Sequence, residues 1–389
     1  MRRALWALVL TGAVACAGHE EAVRGEPGTH LPGLTDAQVT EFFAGQALFN
    51  KVFTPEEGLG PLFNENQCSA CHTDPAIGGV GGFERVIKAT RFEGGVCDYL
   101  SHEGGENVRK RATPLLQAHG VLKEEIPPSA TERGLFITPP LFGLGLVEAI
   151  AEETILAAED PDDANGDGIS GRAGRTPDGR LGRFSKKAEL ATILDFVEGA
   201  LRFEMGLTTP LHTEEETING RPIPPDTDPA PDPEADQRML ELLSTFVRYL
   251  VPVAPTSVRS AAHADTLARG RQLFEDIGCT GCHTPSLRTG GSDVAALHHK
   301  TVDLYSDLLL HDMGPGLAGV CGFTASPTEY RTEMLMGLRH RSNLLHDGRA
   351  GTIADAVMGH GGEAQRARDA FASMAFLDQY FLLQFLQSL

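Results

Sequence analysis

Cys279-Thr280-Gly281-Cys282-His283 decides how the rest of the chain is read. Two thiols at this spacing, followed at once by a histidine, form the attachment site of a c-type haem. Each sulfur adds to a vinyl group of the porphyrin, and the adjoining imidazole becomes the proximal iron ligand. The same pattern stands earlier as Cys68-Ser69-Ala70-Cys71-His72. One such motif alone is compatible with a redox pair or half of a zinc site. Two complete copies behind an export signal point to two haem c groups. They attach through Cys68 and Cys71 and through Cys279 and Cys282, with His72 and His283 as axial ligands.

Outward from each motif the sequence repeats itself. Gly45-Gln46-Ala47-Leu48-Phe49 precedes the first site and Gly270-Arg271-Gln272-Leu273-Phe274 precedes the second. The pattern predicts two distantly similar haem units, with the glycine letting one helix cross closely over another. Thr35 or Asp36 can cap the first helix, which should run to about Val52. Ser185 to Met205, Ala235 to Leu250 and Ala364 to Ser388 also carry helical patterns, the last with an apolar stripe of core residues. Thr73 to Thr138 is rich in glycine and weakly periodic, and reads as loops wrapped over haem. Thr208 to Asp236, rich in proline and acid, reads as an irregular surface excursion.

At the N-terminus, Arg2 and Arg3 precede an apolar run from Ala4 to Ala15 that is too short to span a bilayer. Residues 1–15 therefore read as a signal peptide, ending in the small residues Ala13-Val14-Ala15. Cys16 follows, as in a bacterial lipobox, although Ala13 stands where leucine is usual. Of seven cysteines, four belong to the haem motifs, and Cys97 and Cys321 can pair as a disulfide. Cys16 is left over. Lipidation of Cys16 accounts for the odd count; ordinary cleavage leaving a free thiol is the alternative. The expected layout is a flexible tether over 16–34, an N-terminal haem domain with inserted loops over 35–255, and a C-terminal haem domain over 256–389. Pro252 and Pro255 mark the boundary. The location expected is the periplasmic side of the cell envelope, with membrane contact only through a lipid anchor on the outer membrane.

A chain of 389 residues with 41% hydrophobic and 22% charged residues has room for two soluble domains. Its formal charge of −20 disfavours nucleic acid and suits a basic redox partner, or simply solubility. Asp163-Ala164-Asn165-Gly166-Asp167-Gly168 sets oxygen ligands on alternate residues with a glycine at the turn, the opening of a calcium loop. The bidentate glutamate of position twelve is absent, since Gly174 stands there. A Ca2+ site on Asp163, Asn165 and Asp167 and a metal-free loop of Asx turns both remain open. Glu148 reads as a helix cap. His102 and His119 read as surface or loop histidines, with distal ligation of a haem as the alternative; His311 and His346 read as hydrogen-bonded histidines, with Asp312 and Asp347 available to orient them.

Together with the two haem motifs, four stretches resemble a known family. These are Pro139 to Gly145, Asp163 to Arg172, Leu308 to Gly314 and His346 to Ala350. From Gly45 to Leu389 the chain resembles the bacterial di-haem oxidoreductases, so-called thiol oxidoreductases, related to the di-haem cytochrome c peroxidases. The resemblance implies a mainly α fold of two cytochrome-c-like domains, each with one covalent c-type haem, plus long irregular loops. It implies an oxidoreductase of peroxidase-like chemistry, with peroxide or another small substrate and a small cytochrome or cupredoxin as electron donor. Thr352 to Val357 matches a helix start that precedes the distal ligand of the second haem in the peroxidases, and His360 falls on that ligand position. Met358 is the rival ligand. Glu204-Met205-Gly206 resembles the motif whose glutamate lies over the open face of the first haem, where a carboxylate moves protons on peroxide. Glu204 also sits at a helix end, which is a purely structural alternative. Two features depart from the relatives. Their distal glutamine is missing before Glu204, and Trp6, inside the leader, is the only tryptophan. A di-haem electron carrier without a substrate, and a redox- or iron-linked accessory lipoprotein, are the competing functions.

Overall fold

The computed structural model describes residues 22–81 and 85–389. The leader, Cys16 and Trp6 lie outside the described residues. Eleven α-helices occur among the described residues, joined by long irregular connections and a few short strands. No helix among them is long and apolar enough to cross a membrane.

Two helix crossings organise the fold, and each follows from the repeated glycine. Helix Asp36–Phe49 starts in a capping box between Thr35 and Gln38. It crosses helix Gln237–Tyr249 so closely that a Cβ on Gly45 would come within 2.2 Å of the Leu242 carbonyl oxygen. Helix Ala261–Asp276 crosses helix Phe376–Leu386 in the same manner, and a Cβ on Gly270 would lie 2.1 Å from the Phe381 oxygen. The aromatic packing repeats as well. Phe49 lies 4.9 Å from Phe246 and 5.8 Å from His72; Phe274 lies 5.6 Å from Phe385 and 6.3 Å from His283. Fully buried phenylalanines such as Phe246 contribute about 1.5–3 kcal/mol each. Thus each crossing delivers a core aromatic to the histidine of its own CxxCH motif.

The larger hydrophobic core gathers Phe42, Phe49, Leu146, Leu201 and Phe246, and it also takes in Leu304, Leu308 and Leu309 from beyond Pro255. A smaller core holds Leu273, Phe274, Phe371, Leu382 and Phe385. A disulfide joins Cys97 to Cys321, 224 residues apart.

Several local expectations are corrected. Residues 85–137 contain a small antiparallel sheet where loops were expected. Its long strand Arg85–Glu93 pairs with Val96–Asp98, Asn107–Val108 and Glu132–Ile137. Three of the four strands have six residues or fewer, too short for alternation to stand out amid glycines. The described part of the expected tether, from residue 22, is packed. Leu31 is fully buried, and its N–H donates to the Tyr249 carbonyl. The helix expected from Ser185 begins only at Ile193, because Ser185 and Ala188 adopt left-handed backbone and Thr192 caps the start. The C-terminal helix is two, Gln365–Ser373 and Phe376–Leu386, separated by extended Met374 and Ala375. Finally, Glu148 caps helix Ile193–Met205 from afar, its Oε1 accepting from Ile193 N at 2.8 Å while Arg248 holds the carboxylate.

Candidate active site

The histidines of the two CxxCH motifs are placed in one way. His72 Nδ1 lies 3.0 Å from the Gly79 carbonyl, and His283 Nδ1 lies 2.9 Å from that of Tyr305. An Nδ1–H committed to a carbonyl leaves the lone pair on Nε2, the arrangement typical of metal-ligating histidines. Burial drives both imidazoles down to about 4, so both are neutral, as ligation requires.

His360 shares this arrangement. It caps the C-terminus of helix Ile353–Gly359, and its Nδ1 lies 2.7 Å from the Ala356 carbonyl. Burial lowers its basicity, and a charge on His360 is close enough to lower that of His283. The rival Met358 is 47% exposed. The donor set, two thiols per site and three neutral imidazoles with committed Nδ1 atoms, fits two covalently attached haems.

Glu204 lies beside the first attachment site. Cys68 Sγ is 3.9 Å from the sulfur of its neighbour Met205, and the Glu204 carbonyl accepts from Asn64 N at 2.7 Å. The carboxylate itself is held at both ends. Asn64 Nδ2 donates to Oε2 at 2.7 Å, and Asn107 Nδ2 donates to Oε1 at 2.8 Å. Lys88 pairs in register with Asn107 across the sheet, so the two share a face, and its Nζ lies 2.8 Å from Glu106. Burial raises the Glu204 carboxyl above its ordinary range; the Asn64 hydrogen bond and the charges of Lys88 and Lys110 oppose that rise. A carboxyl shifted toward working pH and fixed by two amides can both take up and release a proton.

Asn64, Lys88 and Asn107 were missed by sequence reasoning. No motif marks them, because Asn64 and Asn107 act through hydrogen bonds to a residue 140 and 97 positions away, and Lys88 through its charge on that same residue. His102 and His119 do not join the site: His102 is exposed, and His119 pairs with Asp226 at 3.0 Å.

His311 is buried between two carboxylates, with Nε2 2.8 Å from Asp307 and Nδ1 2.8 Å from Glu363. Its partners are therefore not the adjacent Asp312. Burial opposes its charge, but Asp307, the Cys282 thiol and Glu363 outweigh burial and push it up to about 12. His346 stacks on Tyr330 at 4.3 Å, while Asp347 pairs with Arg349.

In the Asp163–Asp167 loop the side-chain oxygens cap backbone N–H groups. Asp163 accepts from Gly168, Asn165 from Asp167, and Asp167 from Ile169. Among the described residues, the carboxylates that do converge are elsewhere: Glu215, Asp228, Asp232 and Glu234, on the proline-rich excursion.

Residues 122–389 match the family model described as "Di-haem oxidoreductase, putative peroxidase". The chain belongs to the di-haem oxidoreductase family. The matched region contains the second CxxCH motif, and the first lies upstream of it. Among solved structures, the di-haem oxidoreductase is similar to hydrazine synthase of Kuenenia stuttgartiensis, at 15% identity and TM-score 0.43 over all of both chains. It is similar to the diheme peroxidase BthA of Burkholderia thailandensis E264, at 14% identity and TM-score 0.43, over 95% of this chain and 92% of that one. A MauG-like protein associated with microbial copper homeostasis is similar at 13% identity and TM-score 0.37, over 94% and 93% of the two chains. No curated protein matches the chain.

Proposed function

We propose that this di-haem oxidoreductase is an exported, peroxidase-like c-type enzyme. The Cys279–His283 site takes electrons from a small cytochrome or cupredoxin, and the Cys68–His72 site is the reactive one. The observation that carries the reading is the half-buried Glu204 carboxylate, fixed by Asn64 and Asn107, next to Met205, whose sulfur meets Cys68. Export is supported by the charged and apolar leader and by the Cys97–Cys321 disulfide, since such bonds persist in oxidising compartments. Lipidation of Cys16 would anchor the protein to the envelope.

Cys68, Cys71 and His72 would hold the first haem, and Cys279, Cys282, His283 and His360 the second. When bound, haem supplies the iron at which a peroxide is reduced. Glu204 takes the proton of an incoming peroxide on one carboxylate oxygen and returns it to the departing oxygen. Asn64 and Asn107 keep that carboxylate from rotating away, and Lys88 limits how far burial raises its proton affinity. Such a positioned carboxylate contributes about 10²–10⁴-fold in rate. A Ca2+ ion on Asp163, Asn165 and Asp167 would have to displace the backbone N–H groups that those side chains now cap.

The test has two parts. Mass spectrometry of the denatured chain should show two haem additions. The spectrum of resting protein should contain a high-spin ferric component from the first haem, which hydrogen peroxide consumes. A purely low-spin spectrum that peroxide leaves unchanged would instead support an electron carrier without its own substrate.

A further inference from the structure

Glu363 stands three residues beyond His360 and is held from three directions. Its Oε2 lies 2.8 Å from His311 Nδ1 and accepts from Ser170 N at 3.0 Å. Its Oε1 accepts from Ser170 Oγ at 2.8 Å and from Asp312 N at 3.1 Å. The other nitrogen of His311 is bound to Asp307, whose own N–H donates to the carbonyl of Cys282. One imidazole therefore joins the backbone beside the second CxxCH motif to the segment that carries His360.

That segment has no slack. Gly362 lies flat against the strand Leu310–Asp312 that carries His311, and a Cβ there would sit 2.0 Å from the Asp312 carbonyl oxygen. Contact with the first half of the chain is equally close. Ile169 packs against Gly281, between the two cysteines, and Arg172 exchanges backbone hydrogen bonds with Leu310. Residues 169–172 thus sit on both the attachment site and the Glu363 anchor.

We propose that Asp307, His311 and Glu363 form a positioning clamp, anchored to the first half of the chain by Ser170, that keeps His360 in place as distal ligand of the second haem. The inference rests on the reading of His360 as that ligand. His360 ties its ring to its own helix through the Ala356 carbonyl, but its backbone is extended, so where the helix end sits depends on what holds the segment that follows. The clamp supplies that hold, and it makes the ligation of the second haem depend on contacts made by residues 169–172.

The test uses the haem-loaded, full-length protein with ferric electron paramagnetic resonance and carbon monoxide binding to the reduced form. His360→Ala is the reference. It should turn the second haem high-spin and let it bind carbon monoxide; if that haem stays low-spin, the ligand assignment itself fails. Given the reference result, Glu363→Leu should also produce a high-spin second haem that binds carbon monoxide, with the first-haem signals unchanged. Ser170→Ala should produce a smaller high-spin fraction. Added imidazole should restore the low-spin signal in both variants, which repair of a general folding defect would not do. A second haem that remains fully low-spin in Glu363→Leu overturns the clamp. Should that variant not accumulate, Ser170→Ala and Glu363→Gln decide in the same way.

Discussion

Asn107 Nδ2 donates to Glu204 Oε1 across 2.8 Å, joining a strand of two residues to the last turn of a helix 97 positions later. With Asn64 on the other oxygen, the carboxylate has one orientation. Glu204→Gln keeps the shape but cannot accept a proton. It should leave both haem spectra nearly intact while slowing peroxide consumption by about 10²–10⁴-fold. Full-speed turnover in this variant would remove Glu204 from the mechanism.

Asn64→Leu addresses the proton affinity of the same group. The Asn64 hydrogen bond favours the ionised carboxylate and so opposes the rise caused by burial. Without it the Glu204 pKa goes higher, and the carboxylate is protonated at a higher pH. The acidic limb of the peroxide rate profile should therefore move to higher pH than in the unmodified protein. A profile that stays put would show that another group sets that limb.

Arg109 and Glu124 form a buried bidentate pair, with contacts of 2.8 and 2.7 Å and side chains 3% and 0% exposed. Removing one partner strands the other charge, which costs about 3–5 kcal/mol. Glu124→Gln should lower unfolding stability by that amount in denaturant titration. Because Arg109 lies two residues from Asn107, peroxide consumption should slow as well. Unchanged stability would mean that water reaches the pair.

The Cys97–Cys321 disulfide ties the small sheet to the segment before Tyr330. Cys321 N also donates to Thr90 Oγ1 at 3.2 Å, so strand and bridge reinforce each other. Replacing both cysteines by alanine should cost about 2–5 kcal/mol. Thiol labelling of unfolded, non-reduced protein should modify neither residue, and labelling of both would reject the bond.

Glu363 makes stability fall in acid. Burial works against its charge, but His311 and the N–H groups of Asp312 and Ser170 prevail and hold it at about 2, below the ordinary 4.5. A carboxyl depressed in the folded state stabilises it fully above the unfolded value and loses that contribution as protons bind. Stability should therefore drop between pH 4.5 and about 2, and Glu363→Gln should flatten this part of the curve. Denaturant midpoints measured across that range test the point, and equal slopes in both proteins would contradict it.

The sequence by itself determined where haem attachment is expected, because a CxxCH motif places both thiols and the histidine within five residues and needs no fold to be read. It determined the two helix crossings for a related reason: Gly45 and Gly270 each stand a fixed step before Phe49 and Phe274, so the repeat is visible along one helix. Only the tertiary structure decided what surrounds Glu204 and Glu363. Asn64 and Asn107 come from a bend and from a two-residue strand, where period-two alternation has no length in which to appear, and Lys88 takes its meaning from the strand paired beside it. Asp312 stands beside His311 in the sequence, but the fold pairs His311 with Asp307 and with a glutamate 52 residues away. Hydrogen bonds between distant residues leave no periodic trace in a single chain, so these contacts become legible only when folding brings the partners together.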